Sequence, residues 1–554
     1  MTLLMKIAFL YAITVISVLL WVFNDVTYSI MSFDAFVFSE YRVVIVYIIS
    51  SLVLVISILR FSKGYTKLTV PLLTYIISLY VAPFVANSPY LIHRDVYLHN
   101  SYSLLIVESG RIPIDENRWD VYSFPGAFLF YAIFMVTTNI NFYFSGLILT
   151  IIWPLLFATL PLLALQRLKN SNMHPKTLLL SISMILIPYA LASYAPTPSF
   201  FHRYHFAFFL TAIWLFLFLR QNNRPQREDF VALHLLYFAI VFTHPYFSIF
   251  IALFLLVHIF MFTIVGKLKK TITAPLISVV IGLASHMIYL ASPRLVIEAY
   301  TLVVIRPNIQ ISNFVEQTLP VYIQVPSPIL EYLAVAERYI WRAVVLGIAI
   351  LTLINTLIDT TRRNVVALTI ALPLIFTATT LSIPLIYSFL WWERSISILG
   401  LAVFFSMLVL LSGSTVISKN KYFKNLLLIL ILAGIIFTPL NKYERSLLES
   451  TWRSPAESEA LQFLSSNTAQ NKIYAGYGTG VILTFYRLFV NTQLNVITIY
   501  DDIKGYLKID PKTLNSLYIF SLTDPDYRYI SKEATYLLTD KSLIFENELY
   551  FIII

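Results

Sequence analysis

The chain has 554 residues, of which 58% are hydrophobic and only 12% charged, with a mean hydropathy of +0.77 and a formal net charge of +10. That charged share is about half the usual one and leaves too little polar surface to cover a water-soluble globule, so lipid is the implied solvent. The basic excess sits mostly in short loops between apolar runs, as the positive-inside rule produces, which argues against nucleic acid as a partner. The absence of cysteine excludes disulfides, thiolate metal sites and cysteine nucleophiles.

In chain order, Met1 to Phe23 carries one lysine and a long apolar run without a small-residue cleavage site, and reads as a retained helix rather than a removed signal. Apolar runs near the length of a membrane-crossing helix then recur. The predicted spans are 7–23, 43–60, 68–86, 124–138, 143–166, 177–194, 206–220, 230–243, 246–265, 273–291, 341–358, 365–383, 395–413 and 423–439. Basic loops mark the cytoplasmic side: Arg60, Lys63 and Lys67; Arg167, Lys169 and Lys176; Arg220, Arg224 and Arg227; Lys267, Lys269 and Lys270; Arg362 and Arg363; Lys419, Lys421 and Lys424. Asp25, Asp34 and Glu40 suit the outside. The long loops 87–123 and 292–340, and everything after Asn441, then fall outside as well.

Fourteen segments clash with this sidedness, which needs an odd number of crossings. The conflict lies between the short 124–138 segment and the long 143–166 segment with Pro154 and Pro161. One of the two is expected to be re-entrant or broken, leaving about thirteen transmembrane helices in 1–441.

From 442 to 554 charge rises and apolar runs shorten. Ser454-Pro455-Ala456-Glu457 has the N-cap, first-position proline and early acid of a helix running through Leu464. Lys472–Tyr474, Leu494–Tyr500, Leu517–Leu522 and Leu549–Ile554 read as strands. The expected fold is an all-α polytopic membrane bundle with a small C-terminal α/β extracytoplasmic domain. No internal repeat or low-complexity tract interrupts it.

Ionisable groups at membrane depth are costly and mark function by default. The topology collects them at the outer boundary. Asp95 and His99 lie in His93-Arg94-Asp95-Val96-Tyr97-Leu98-His99; His202, Arg203 and His205 lie before the 206–220 span; His244 sits in Thr243-His244-Pro245; Glu393 and Arg394 open the 395–413 span; His286 and Arg294 lie near the outer end of theirs. Each has a plainer reading. Asp95 suits a helix cap, Arg203 and Arg394 snorkelling anchors, and His202, His205 and His244 satisfied interfacial imidazoles. The four-residue spacing of Asp95 and His99 puts them on one face of a helix and permits a divalent-metal site without requiring one. Gly476-Tyr477-Gly478-Thr479-Gly480 lacks the following lysine of a phosphate loop and reads as a strand-to-helix turn. Asp501-Asp502 and Asp524-Pro525-Asp526 read as turn residues.

The first outer loop resembles a known superfamily. Arg94-Asp95-Val96-Tyr97, then Glu108-Ser109-Gly110-Arg111-Ile112-Pro113, then Tyr122-Ser123-Phe124-Pro125-Gly126 leading into a helix resemble prokaryotic GT-C glycosyltransferases, relatives of protein mannosyltransferases and lipid A aminoarabinose transferases. The motif likeness covers about 93–126, and the architecture extends it. The resemblance implies an outward-facing transferase of the cell membrane that uses a polyprenyl-phosphate-linked sugar donor and a lipid, glycan or protein acceptor. It implies that Asp95 is the catalytic carboxylate, acting on the acceptor as general base or holding a divalent metal, and that Arg203, His244 and Arg394 meet the lipid phosphate. Two departures stand out. Two further helices precede the acidic loop, and Asp95 has no second acid beside it, only His99 nearby. The Trp-Trp-Asp-Tyr-Gly word of oligosaccharyltransferases is absent; Trp391-Trp392-Glu393-Arg394 is different and differently placed.

The chemistry stands without the family. Displacing a phosphate from a sugar carbon needs an oriented, partly deprotonated hydroxyl, which a carboxylate supplies, and fixed cations for the leaving phosphate, where arginine offers a bidentate fork. The competing readings are a polysaccharide polymerase or ligase, which lacks a catalytic acid, a transporter or flippase of lipid-linked solute, which would show repeats and mid-membrane charge, and a noncatalytic scaffold.

Overall fold

The computed structural model describes residues 48–56, 75, 94–112, 123–140, 145–146, 148–149, 152, 202–223, 226–264, 272–290, 372–381 and 401, and the backbone of five strands between 472 and 553. The helices with defined bounds are α1 (Arg94–Ser109), α2 (Gly126–Thr138), α3 (Arg203–Asn223), α4 (Arg227–Thr243), α5 (Pro245–Ile264), α6 (Thr273–Leu290) and α7 (Leu372–Leu381).

α4 is the hub, packed against α2, α3, α5 and α6. Its inward stripe is Leu233, Tyr237, Ile240 and Val241, all buried, at helical spacing. Its opposite stripe, Val231, Leu235 and Phe238, is equally apolar and exposed. The pattern recurs at Ile133 and Val136 of α2, Leu256 and Phe260 of α5, and Val280 and Ile288 of α6. Polar side chains lie inside instead: Asp229, Ser248, His258, Ser278 and His286 are buried. Helices apolar all round, with their polar groups turned inward, suit lipid as the surrounding solvent.

Among the described residues, the Arg203–Gln221 stretch of α3 is long and apolar enough to cross a bilayer, and Gly126–Thr138, Pro245–Met261 and Pro275–Leu290 are shorter apolar helices. The expected spans at 206–220, 230–243, 246–265 and 273–291 coincide with α3 to α6 within a few residues. α2 has 13 residues and rises about 20 Å, short of a bilayer core of about 30 Å. It stops at Asn139, whose φ of 53° is left-handed, a conformation asparagine tolerates better than most residues.

The α3–α4 hairpin is clamped at its basic end. Arg220 Nε donates to Asp229 Oδ2 at 2.7 Å, and Arg220 Nη2 pairs with Asp229 Oδ1 and donates to Gln226 Oε1 at 2.9 Å. Asp229 sits in the first turn of α4, where the helix dipole also favours a negative charge.

The strands β1 (Lys472–Gly476), β2 (Asn495–Ile499), β3 (Ser516–Ser521), β4 (Leu543–Glu546) and β5 (Tyr550–Ile553) form one mixed sheet of order β2-β1-β3-β5-β4. β1 is parallel to both of its neighbours, β2 and β3. β5 runs antiparallel to β3 and β4. Four of these strands overlap the predicted ones; β4 adds a short hairpin partner for β5. The predicted helix through Leu464 lies outside the described residues.

Candidate functional site

α1 lies within the expected outer loop 87–123 and makes part of it helical. On a helix, positions 95, 99, 102 and 106 share one stripe. Tyr102 and Ile106 of that stripe are buried with Phe128 and Ala132 of α2, and the Tyr102 and Phe128 rings meet edge to face at 5.5 Å. Asp95 and His99 therefore occupy stripe positions two turns and one turn before Tyr102. Gly110 ends α1 with a φ of 65° and bonds back from its N–H to the Ile106 oxygen at 2.9 Å, a helix stop that glycine makes without strain. Ile112 then packs on the Tyr102 cluster. The Gly110-Arg111-Ile112 word thus closes α1 and pins the chain that leaves it.

The second motif has an equally local cause. Pro125 is the N-cap of α2, with φ −76° and ψ −10°. Gly126 follows at a near-contact with α4: a Cβ there would stand 2.7 Å from Thr243 Oγ1 and 3.0 Å from the Phe242 oxygen. The start of α2 and the end of α4 touch because position 126 has no side chain. Just before them, His286 Nε2 donates to the Ser123 main-chain oxygen at 2.7 Å. The His286 ring packs on Phe124 at 5.1 Å and Phe242 at 5.2 Å.

The helix starts at this end carry four of the expected residues, His202, Arg203, His205 and His244. His202 precedes α3, and its Nδ1 accepts the Tyr204 N–H at 3.2 Å. His244 sits between α4 and α5, and its Nδ1 accepts the Tyr246 N–H at 3.2 Å. Each ring does the work of an N-cap side chain, which leaves the proton of the neutral ring on Nε2. Tyr204 joins them: its ring lies 5.8 Å from His244, 6.0 Å from His205 and 5.1 Å from Phe247. The His202 and His205 rings meet at 5.6 Å. Arg203 places its guanidinium carbon 6.0 Å from the Phe128 centroid, within cation–π range. Phe128 thus touches both Tyr102 of α1 and Arg203 of α3.

Arg203 and the imidazoles of His202, His205 and His244 thereby gather where the N-termini of α3 and α5 present positive dipole ends, an arrangement that suits an anionic group. Glu393, Arg394 and Arg294 lie outside the described residues. Among the described residues no group of three or more His, Asp or Glu gathers as a metal site. The sequence reading passed over Tyr204, although it stands between the flagged Arg203 and His205, and over Phe128, which no local signal sets apart from other membrane aromatics.

A scan against protein-family models finds no match, and a search of curated proteins finds none. Solved structures do match. ArnT, an aminoarabinose transferase, from Cupriavidus metallidurans bound to undecaprenyl phosphate has a TM-score of 0.50 at 11% identity, over 88% of this chain and 98% of that one. The same protein in the apo state has a TM-score of 0.51 at 11% identity, over 89% of this chain and 98% of that one. The Archaeoglobus fulgidus oligosaccharyltransferase has a TM-score of 0.51 at 12% identity, over 82% of this chain and 69% of that one. The chain has the fold of these GT-C membrane glycosyltransferases.

Proposed function

We propose that this protein is a membrane glycosyltransferase that moves a sugar from a polyprenyl-phosphate-linked donor to an acceptor on the outer face of the membrane. The carrying observation is the fold shared with ArnT over nearly the whole of both chains, in a structure of ArnT that holds undecaprenyl phosphate. The local geometry supports it. The Asp95 helix packs on α2, the Phe128 ring of α2 lies under Arg203, and the next residue, Tyr204, meets the rings of His205 and His244. Residues 1–441 are the transmembrane part, and 442–554, which contain the β1–β5 sheet, the extracytoplasmic α/β part.

In this reading the acceptor hydroxyl attacks the sugar carbon bonded to phosphate. The carbon–oxygen bond to phosphate breaks, polyprenyl phosphate leaves with the electron pair, and the hydroxyl proton passes to the Asp95 carboxylate. Arg203 and the Nε2–H groups of His202 and His244 stabilise the departing phosphate, with Arg394 and Glu393 as further candidates for the headgroup. Asp95 and His99, one helical turn apart, would supply two ligands to a divalent cation. Such an ion, when bound, would lower the acceptor hydroxyl's pKa and offset phosphate charge.

The test is release of free polyprenyl phosphate by purified protein in liposomes given a panel of polyprenyl-phosphate sugars and candidate acceptors. Release that depends on an acceptor supports the transferase. Movement of intact lipid-linked sugar across the bilayer without release would replace it with a flippase.

A further inference from the structure

Ser123 is fully buried at the start of the α2 motif, and its hydroxyl has no hydrogen-bond partner among the described residues. Its main chain is not loose: the Ser123 oxygen is held by His286, and the next residue, Phe124, packs on the same imidazole. The residue is therefore fixed in place with its hydrogen-bonding side chain unused. A buried hydroxyl without a partner opposes folding, and alanine would fill the same space without that penalty. Serine at such a position is explained by a partner that arrives with a ligand.

The location narrows the ligand. Ser123 closes the outer segment that begins with the Asp95 helix, and it lies five residues before Phe128, the ring under Arg203. Gly126, three residues on, is in near-contact with Thr243, next to the capping His244. Resting on the transferase reading, we infer that Ser123 is a substrate-binding residue whose Oγ–H donates to an oxygen of the sugar-phosphate headgroup, with His286 as the positioning residue that holds it there. Both a phosphate oxygen and a sugar hydroxyl oxygen accept such a bond, so the chemistry is shared between the two parts of the donor.

The experiment compares wild type with Ser123→Ala in three readouts: thermal unfolding, binding of sugar-free undecaprenyl or dolichyl phosphate, and KM for the sugar-linked donor. Ser123→Ala leaves the melting temperature unchanged or raises it, because an unsatisfied hydroxyl has gone. It raises the donor KM about tenfold, the scale of one lost hydrogen bond to a charged or polar group. An equal loss of sugar-free polyprenyl phosphate binding assigns the bond to phosphate; unchanged binding of that lipid with a raised donor KM assigns it to the sugar. A Ser123→Ala protein that melts lower, or one with unchanged donor KM beside an active wild type, overturns the inference. A wild type that neither binds the lipids nor turns over any donor overturns the transferase reading itself and this inference with it.

Discussion

The Nε2 of His286 donates to the main-chain oxygen of Ser123 at 2.7 Å, joining two segments 163 residues apart. This bond fastens the end of the loop region that begins with α1 onto α6. Phe124 and Phe242 enclose the same ring. If that fastening positions the site, glutamine should replace the histidine better than phenylalanine, because its amide N–H reaches about as far as Nε2. His286→Phe is expected to raise the donor KM about tenfold. His286→Gln should recover most of it, measured as donor KM at saturating acceptor. Equal losses in both variants would reduce His286 to a packing role.

Gly126 and Gly282 mark two close helix approaches. A Cβ at Gly282 would stand 2.7 Å from the Tyr237 ring, and that ring is itself buried and bonded through its hydroxyl to the Ser248 oxygen at 3.2 Å. Gly126 faces backbone as well as Thr243. Alanine at either position should destabilise the bundle by about 1–3 kcal/mol, read as a lower melting temperature in detergent. Gly126→Ala should also cost activity, since it separates α2 from the capped end of α4.

The Arg220–Asp229 pair predicts a stability effect without a catalytic one. Asp229 is buried in the first turn of α4. Replacing it with asparagine leaves the Arg220 guanidinium without its countercharge and should cost about 1–2 kcal/mol, because that guanidinium is a third exposed and water takes up part of the loss. At a temperature where the variant remains folded, kcat and KM should be those of wild type.

Arg203 predicts the opposite pattern. Arg203→Ala should weaken donor binding by tenfold or more with little change in melting temperature. Arg203→Lys should restore only part of it, because lysine keeps the charge but lacks the planar fork and stacks less well on Phe128. Titration with a polyprenyl phosphate checks both.

Much of the bundle was legible in the sequence because its signal is local. Uninterrupted apolar runs located α3 to α6, and turn residues bounded them. Four strands followed from short β-branched and aromatic runs, whereas β4, Leu543–Glu546, has no β-branched residue but Ile544 and gains its identity from pairing with β5. The candidate residues were legible as a set and not as an arrangement. Positive-inside reasoning sent His202, Arg203, His205, His244 and His286 to one boundary, and the structure sets His202, His205 and His244 around Tyr204, lays Arg203 over Phe128 and ties His286 to Ser123. The capping bonds of His202 and His244 could have been suspected from their places just before helices, but histidine is not an ordinary cap. The need for glycine at 126 could not, since it arises from Thr243 on another helix.

The measurement that bears most directly on the central claim compares wild type and Asp95→Asn in the release of polyprenyl phosphate from a sugar-linked donor in the presence of acceptor. The substitution keeps size and removes the charge and the proton acceptor. The account predicts a fall in kcat of at least about a hundredfold, with binding of the sugar-free lipid phosphate retained. Asp95→Asn turning over at the wild-type rate would contradict it, and with it the assignment of Asp95 to the centre of the reaction.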